Sequence, residues 1–226
     1  DGWSDPDPSW GAENGSDAFP SDHTQWADRD LDGFGDNPEG DSPDAFPDNP
    51  SQWDDSDGDG WGDNQGPGAT QVDYFPSEPS QWADMDSDGY GDNSSGLDPD
   101  ACKDRAGTST MDRYGCPDAD GDGYSNPDAD WPAHPSGFAD AFNDQASQWA
   151  DTDGDGYGDN QSESAWRPDA CKVTVGTSTI DRWGCPDSDG DGASDPQIDS
   201  GWLSHPAGLA DAFPDDYTQW RDFDGD

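Results

Sequence analysis

Apolar residues in this chain follow neither the 3.6-residue period of an amphipathic helix nor the strict alternation of a half-buried strand. Glycine (29 residues) and proline (20 residues) interrupt every window that is long enough for a helix. The only strand-like runs are residues 172–175 and the Thr-Ser-Thr segments between neighbouring cysteines. The pattern therefore predicts a mostly irregular chain with isolated turns and short bridges, and no stretch approaches the length of a transmembrane helix.

The larger apolar side chains recur instead at fixed places in tandem blocks, which is typical of a repeat protein. Blocks of one type start with Asp-Ala-Phe or Asp-Tyr-Phe and end with Gln-Trp; they begin at Asp17, Asp44, Asp73, Asp140 and Asp211. Blocks of a second type begin at Asp100 and Asp169 and carry a pair of cysteines. We predict one continuous array over residues 1–226, divided into 1–16, 17–43, 44–72, 73–99, 100–139, 140–168, 169–210 and 211–226.

Each block is expected to be closed by one staple, meaning a single ring contact or disulfide between its two ends. This staple would replace a conventional core. In alignment, the cysteines take the places of the Phe and the Trp of the first block type, so a ring contact and a disulfide are predicted to be interchangeable. The predicted pairs are Phe19 with Trp26, Phe46 with Trp53, Phe75 with Trp82, Phe142 with Trp149, Phe213 with Trp220, Cys102 with Cys116 and Cys171 with Cys185. Two cysteine pairs at the same spacing are typical of disulfides in secreted proteins.

Between the blocks one acidic loop recurs, Asp-x-Asp-x-Asp-Gly-x-Gly/Ser-Asp, and its nine positions are numbered 1 to 9 below. Carboxylates at positions 1, 3 and 5 can converge on one hard cation that takes six to eight oxygens. Glycine at position 6 permits a sharp turn, position 7 offers its carbonyl, and an acid at position 9 suits a direct or water-mediated contact. The spacing therefore predicts calcium sites.

Six copies are complete and are called loops 1 to 6. Their predicted ligands are Asp28, Asp30, Asp32, Phe34 and Asp36; Asp55, Asp57, Asp59, Trp61 and Asp63; Asp84, Asp86, Asp88, Tyr90 and Asp92; Asp118, Asp120, Asp122 and Tyr124, with Asn126 at position 9; Asp151, Asp153, Asp155, Tyr157 and Asp159; and Asp187, Asp189, Asp191, Ala193 and Asp195. An EF-hand would place Glu at position 12 between flanking helices. Only Glu39 occupies that place and the flanks are rich in Pro and Gly, so a helix-loop-helix sensor is excluded.

A seventh copy is split between the two ends of the sequence. Asp222, Asp224 and Asp226 occupy positions 1, 3 and 5 of this split loop, while Asp1, Trp3 and Asp5 occupy positions 5, 7 and 9. We expect the end of one array to continue into the beginning of another, either in a longer tandem polypeptide or between subunits that meet head to tail. A heterologous contact that does not close into a ring builds a filament. The absence of a starting Met adds the expectation that the sequence is a segment of a longer secreted precursor.

Composition alone would predict disorder, since Lys and Arg number 8 against 54 Asp and Glu, for a formal charge of −46. The acids, however, stand at ligand spacing instead of in runs, and aromatic residues, 12% of the chain, stand at repeated places. Such a composition suits a fold whose free energy comes from metal binding. The charge also disfavours nucleic-acid binding and membrane insertion as functions.

The segments DACKDRAGTSTMDRYGCPDADGDGYSNPD and DACKVTVGTSTIDRWGCPDSDGDGASDP resemble thrombospondin type 3 repeats of bacterial or archaeal secreted proteins. The resemblance implies an elongated, calcium-stabilised array with little regular secondary structure and one or two ions per loop, roughly 7 to 14 in all. It also implies that the aspartate before each Cys or Phe closes the preceding site. Those aspartates are Asp17, Asp44, Asp73, Asp100 and Asp169, whereas loops 4 and 6 leave Asp128 or Asp140 and Asp199 or Asp211 as alternatives.

These observations predict an extracellular calcium-binding structural protein that forms a rigid fibre by head-to-tail continuation of its repeats. A calcium-stiffened stalk of a surface adhesin or secreted enzyme is the alternative, and a calcium reservoir or mineral-templating protein is the second. No nucleophile with a neighbouring base is visible, so an enzyme is not expected. Three Asn-x-Ser motifs, at Asn14, Asn93 and Asn160, are candidate glycosylation sites.

Overall fold

The chain is almost devoid of regular secondary structure, as the sequence predicts. The computed structural model describes Gly2 and residues 16–225, with Asp199 represented by its backbone alone. Within these residues the one helix is a single 3-10 turn, Ile198–Ser200, which ends at Gly201 in a left-handed conformation. Isolated bridges replace strands; they join Gly35 to Pro43, Gly62 to Val72, Ala133 to Ala139, Gly158 to Pro168, Gln197 to Trp202 and Ser204 to Ala210.

The strand-like run at residues 172–175 does not form a strand. Thr174 instead donates its N–H to the carbonyl of Cys171 at 2.7 Å, which makes a turn, and Val173 remains 80% exposed. The Thr-Ser-Thr segments pack on the following loop, because Thr179 and Ile180 both donate to the carbonyl of Gly192. A strand-like composition here reflects local hydrogen bonding to a loop and not sheet formation.

The chain divides into two compact units, Asp1–Ala106 and Gly107–Asp226. In both units the largest fully buried side chains of the described residues are polar. Apolar burial is limited to small residues: Cys116, Ala139, Cys185, Ala193 and Ala210. The interior therefore consists of short polar side chains with main-chain partners, and the hydrophobic effect acts through ring contacts nearer the surface.

Each block is closed by its main chain in the same way. In the block that begins at Asp44, Ala45 donates its N–H to the carbonyl of Trp53 at 3.0 Å, and the Oδ1 atom of Asp44 accepts the N–H of Phe46 at 2.7 Å. The equivalent N–H to Trp bond is present in the other described blocks of this type. The same main-chain hydrogen bond therefore recurs at the same place in all five blocks of this type.

The ring contacts differ from the predicted Phe–Trp staples. Trp53 stacks on Phe34 of the preceding loop, with ring centroids 5.0 Å apart and planes 3° apart, and the expected Phe46–Trp53 contact is not among the ring pairs of the described residues. The same relation joins Trp61 to Trp82 and Tyr124 to Trp149. A loop residue at position 7 thus packs on the Trp of the next block, so each ring pair links consecutive repeats.

Disulfides are present where the sequence predicts them. Cys171 and Cys185 are bonded to each other, and Cys102 and Cys116 are also disulfide-bonded. The alignment of Cys185 with the block Trp is wrong, however. Ala170 donates to the carbonyl of Trp183, and the Trp183 ring packs on Tyr157 at 5.8 Å, so Trp183 fills the place of the block Trp. The cysteine blocks are longer between their ends, which shifts the disulfide beyond the aromatic position.

Candidate metal centres

The six complete loops share one backbone conformation, which the position 1 carboxylate organises. In loop 2, Asp55 accepts the N–H of Gly58 through Oδ1 at 2.7 Å and the N–H of Gly60 through Oδ2 at 3.0 Å. The same two bonds recur in the other five loops. Positions 4 and 6 are left-handed in every loop, even where position 4 is Leu31 or Ser87. The turn predicted at position 6 is thus accompanied by a second one at position 4.

The loop carboxylates come together as the spacing predicts. One oxygen from each of positions 1, 3 and 5 lies within 4.8 Å of the other two in the sets Asp28, Asp30, Asp32; Asp55, Asp57, Asp59; Asp84, Asp86, Asp88; Asp118, Asp120, Asp122; and Asp151, Asp153, Asp155. In loop 6, burial raises the pKa of Asp191, and the nearby carboxylates of Asp189 and Asp187 raise it further. These acidic triplets can hold metal ions.

A fourth carboxylate closes each loop from the start of a following block. In loop 2 this closing aspartate is Asp73, whose N–H donates to the carbonyl of Gly62 at position 8, at 2.8 Å. The same bond to position 8 is made by Asp44, Asp100, Asp140, Asp169 and Asp211. The exposed fraction of these closing aspartates is at most 6%, the value for Asp44. They are therefore held against the triplets by the main chain and are shielded from water.

The structure distinguishes the alternatives for loops 4 and 6. Asp140 lies close enough to Asp122 and Asp120 for their charges to raise its pKa, whereas Asp128 forms an ion pair with Arg113 at 2.8 Å. In loop 6, Asp211 takes the same position as Asp140, and the backbone of Asp199 lies in the 3-10 turn. The intervening spacer is looped out in both cases, and the chain returns to position 8 at the start of the next block.

Several buried carboxylate oxygens at these centres accept no hydrogen bond from the described residues. In loop 2 they are Oδ2 of Asp57, Oδ2 of Asp59 and Oδ2 of Asp73, while the second oxygen of Asp59 and of Asp73 accepts a main-chain N–H. Corresponding oxygens are found on Asp30, Asp32 and Asp44; Asp86 and Asp92; Asp122 and Asp140; Asp153, Asp159 and Asp169; and Asp189, Asp191 and Asp211. Buried polar atoms are nearly always partnered in folded proteins. A set of oxygen atoms that lack partners at each loop fits a bound hard cation.

The pKa values of the closing aspartates also favour a bound cation. Burial, the largest cause, raises the pKa of the closing aspartates, and the loop carboxylates raise it further. The pKa values rise to about 6 for Asp44, Asp73, Asp100 and Asp169 and to about 7 for Asp140. An ordinary aspartate has a pKa near 3.8. Each centre therefore holds like charges in an environment that disfavours them unless a proton or a cation is present.

Positions 7 and 9 have different roles. The carbonyls of Phe34, Trp61, Tyr124, Tyr157 and Ala193 accept no hydrogen bond from the part of the chain that the structure describes, which leaves them available as ligands. At position 9, Asp63 accepts both the N–H and the hydroxyl of Ser56, and Asn126 accepts the N–H of Ala119 in the same manner. The side chain at position 9 thus stabilises the loop by accepting a hydrogen bond from position 2, which an asparagine can do as well as an aspartate.

A buried glutamine is the feature of these centres that sequence reasoning missed. Gln52, fully buried, accepts the N–H of Asn64 through Oε1 at 2.9 Å and donates through Nε2 to the carbonyls of Asn64 and Thr70. Gln25, Gln81 and Gln148 do the same in loops 1, 3 and 5. We call this arrangement the glutamine clasp. It ties the block to the segment that follows its loop.

The clasp explains why position 8 is glycine in these four loops. A Cβ atom on Gly62 would lie 2.2 Å from Oε1 of Gln52, and the corresponding glycines in loops 1, 3 and 5 are equally close to their glutamines. Loops 4 and 6 have no clasp and carry serine at position 8. Ser125 there donates its N–H and hydroxyl to the carboxylate of Asp112. The sequence signal was therefore a correlation: glutamine before the block Trp with glycine at position 8.

The same geometry bears on the predicted glycosylation sites. Nδ2 of Asn160 donates to the carbonyl of Ser147 at 2.8 Å, and Asn93 makes the equivalent bond to Ser80. Asn37 and Asn64 occupy the same place without an Asn-x-Ser motif. The asparagines thus have a structural role that is independent of the motif, and glycosylation stays a prediction.

Part of the split loop is described. Asp222 accepts the N–H of Gly225 through Oδ1 at 2.8 Å, and Gly225 (φ 72°) and Gly2 (φ 95°) have the left-handed conformations of positions 4 and 6. Asp17, which is predicted to close this loop, is buried and accepts the N–H of Phe19 as the other closing aspartates do. Predicted residues outside the described part of the chain are Asp1, Trp3, Asp5, Asn14 and Asp226.

No protein-family model matches the sequence, and no significant match exists among curated proteins. Across the described residues, no helix has the length and apolar character needed to cross a membrane.

Proposed function

We propose that this chain is an extracellular calcium-binding structural protein in which bound ions, and not an apolar core, stabilise the repeats. The observation that carries the proposal is the closing aspartate. It is almost fully buried, one oxygen accepts a main-chain N–H, and the other lies unpartnered near three further carboxylates. This donor set contains only oxygen, including a main-chain carbonyl, and it suits calcium better than zinc, which prefers nitrogen and sulfur.

Charge supports the same conclusion. The formal charge of −46 would oppose a compact state through self-repulsion. Roughly 7 to 14 divalent ions, at one or two per loop, would cancel about 14 to 28 of these charges. The protein would remain negative, which favours solubility. Ion binding would then supply stabilising free energy that the small apolar content of the chain cannot supply.

Neighbouring repeats are linked in a way that suits a mechanical role. The Oδ2 atom of Asp120 in loop 4 accepts the N–H of Gln145 in the next block, and Asp155 of loop 5 similarly accepts the N–H of Gly176. Ring pairs such as Tyr124 with Trp149 join the same repeats. An ion that orders one loop therefore also orders the contact surface for the next. Such nearest-neighbour coupling favours a fibre or a stalk over a reservoir, which needs no coupling.

Head-to-tail continuation is part of the proposal. Asp222 and Gly225 already have the geometry of positions 1 and 4, so a segment that supplies positions 5 to 9 would complete the loop.

Calcium titration followed by hydrogen exchange tests the proposed function. The protein, first stripped with EDTA, is titrated with calcium while amide protection of the clasp residues is measured. We expect cooperative binding and a loss of protection in EDTA at all clasped loops. Graded binding that leaves protection unchanged would favour the reservoir, and full protection in the metal-free protein would refute the stabilising role.

Electron microscopy with and without EDTA then tests the fibre, which should shorten or disperse in EDTA. Fibres that keep their length and thickness in metal-free protein would contradict the fibre proposal.

A further inference from the structure

An aromatic cleft lies beside loop 4 and takes no part in the metal centre through its side chains. Its volume is about 430 Å³, and its walls include the rings of Tyr124, Trp131, Phe138 and Trp149 together with the carboxylate of Asp112. This volume is within the range of small-molecule sites, roughly 300 to 1,000 Å³. Phe138 is 71% exposed, although it lies against Trp131 with ring centroids 5.7 Å apart. The cleft is therefore open and mostly aromatic, and two of its rings, Tyr124 and Trp149, stack on each other with centroids 5.3 Å apart.

Cations lie over several tryptophan rings of this chain, including Trp131 of the cleft, whose centroid lies 5.4 Å from the guanidinium of Arg113. The chain has six arginines, and four of them place the guanidinium over a Trp ring. Arg221 lies 3.7 Å from the centroid of Trp220, and Arg167 lies 5.1 Å from that of Trp183. These tryptophans hold the same place in their blocks as Trp149 does. Among the cation–π contacts of the described residues, none involves Trp149, and the same is true of Trp53 and Trp82.

The charge of the cleft also favours a cation. Asp112 accepts the N–H and hydroxyl of Ser125 and the indole N–H of Trp131. Burial opposes ionisation of Asp112, but these hydrogen bonds hold its pKa below the ordinary value. The one nearby cation, Arg113, is already paired with Asp128 at 2.8 Å. The four acids of loop 4 would leave no net positive charge with one or two calcium ions bound.

We propose that this cleft binds a small organic cation with a quaternary or alkylated ammonium head. Aromatic rings attract such heads through their negative faces, and several rings around one site are the usual means of recognising quaternary ammonium groups. Calcium itself does not suit the cleft because it takes six to eight oxygen ligands and the walls are mostly aromatic. The proposal does not depend on the fibre, only on the folded, calcium-saturated protein.

The second spacer provides an internal control. Ala193 stands where loop 4 has Tyr124, and Leu209 stands where the first spacer has Phe138. Arg182 lies 4.3 Å from the centroid of Trp202 there, as Arg113 lies 5.4 Å from that of Trp131 in the cleft, so the difference between the two places is in the other rings. Two of the four rings are thus missing from the equivalent place, and we expect no ammonium binding at it.

The test compares choline with its neutral isostere 3,3-dimethylbutan-1-ol in calcium-saturated protein, with the indole N–H signals of Trp131 and Trp149 followed by NMR. Choline should shift these signals saturably, and the isostere should bind at least about five-fold more weakly if the ring faces act on the charge. Phe138→Ala should weaken choline binding by about five-fold, whereas Leu209→Ala should leave it unchanged. Both variants should titrate calcium normally.

Two results would overturn the proposal. Equal binding of choline and the isostere would show an apolar cleft without cation recognition. Shifts that do not saturate, or that are insensitive to Phe138→Ala, would show that choline does not bind at this place. Glucose serves as a further comparison, since tighter binding of the sugar than of choline would assign the cleft to neutral ligands.

Discussion

A methyl group at Gly62 should disrupt the glutamine clasp of loop 2. The Cβ atom of Gly62→Ala would lie 2.2 Å from Oε1, 2.3 Å from Cδ and 2.6 Å from Cγ of Gln52. The φ of Gly62 is not in the left-handed region, so alanine is compatible with the backbone itself. The side chain of Gln52, which is fully buried, must therefore move out of its place.

The size of the effect follows from the bonds that are lost. Gln52 makes three hydrogen bonds of 2.9 to 3.0 Å to Asn64 and Thr70. At about 1 kcal/mol net for each bond, the free energy of local opening at loop 2 should fall by about 3 kcal/mol. Since 1.4 kcal/mol corresponds to a factor of ten, amide protection at Asn64 should fall by about 100-fold.

Hydrogen exchange in saturating calcium is the appropriate assay, because a repeat array need not unfold in one global step. The Asn64 amide reports directly on the bond to Gln52, and the Asn93 amide of loop 3 serves as an unperturbed control. The decisive comparison is a double-mutant cycle. In a Gln52→Ala background the obstruction is absent, and Gly62→Ala should then lower the opening free energy by less than about 1 kcal/mol. An equal penalty in both backgrounds would refute the clasp as the reason for glycine at position 8.

Three further predictions concern charge and covalent closure. Asp140→Asn should weaken calcium binding at loop 4 by at least about ten-fold in a calorimetric titration, whereas Asp128→Asn should leave the affinity unchanged and only remove the Arg113 pair; equal effects would contradict the assignment of Asp140. In EDTA, the raised pKa values of the closing aspartates mean that the folded state binds more protons than the unfolded state, so order detected by hydrogen exchange should be greatest below about pH 4 and be lost as the pH rises through 6 to 7. In calcium the dependence should reverse, because protons compete with the ion, and the same trend in both media would argue against shared carboxylates. Finally, replacing both Cys171 and Cys185 with Ser removes a link between residues 14 apart, which should lower the stability of that block by roughly 3 kcal/mol in thermal melts while loop 2 is unaffected; an unchanged melt would show that the disulfide contributes nothing.

Much of this fold could be predicted from local chemistry. Glycine and proline exclude helices, and the spacing of Asp55, Asp57 and Asp59 fixes the loop, because residues so close in sequence have few ways to place three carboxylates together. The pair Cys171 and Cys185 was predictable for the same reason. These features are determined within a few residues, so the sequence carries nearly all the information they require.

Contacts between repeats were harder to predict. The Trp53 ring packs on Phe34 and not on Phe46, although both are near in sequence and similar in chemistry. Which of the two rings Trp53 contacts depends on the direction in which the backbone leaves the loop. Residue spacing alone does not determine that direction. Likewise Asp140 and Asp128 were equally plausible until the hydrogen bond of Asp140 to the carbonyl of Ser125 placed it. Gln52 was overlooked because a glutamine in a polar chain gives no sign of burial.

The steric exclusion between a clasp glutamine and any side chain at position 8 also limits how such genes can be rearranged. Gln52 and Gly62 stand ten residues apart in sequence, one in a block and the other in the loop that follows. A recombination breakpoint between them could join a glutamine block to a serine loop such as that of Ser125, and the product would have a steric conflict in its interior. Crossovers after position 8 would keep compatible partners together. The heritable module of this array is therefore a block with its downstream loop, and exchange should be tolerated at the junctions between such modules.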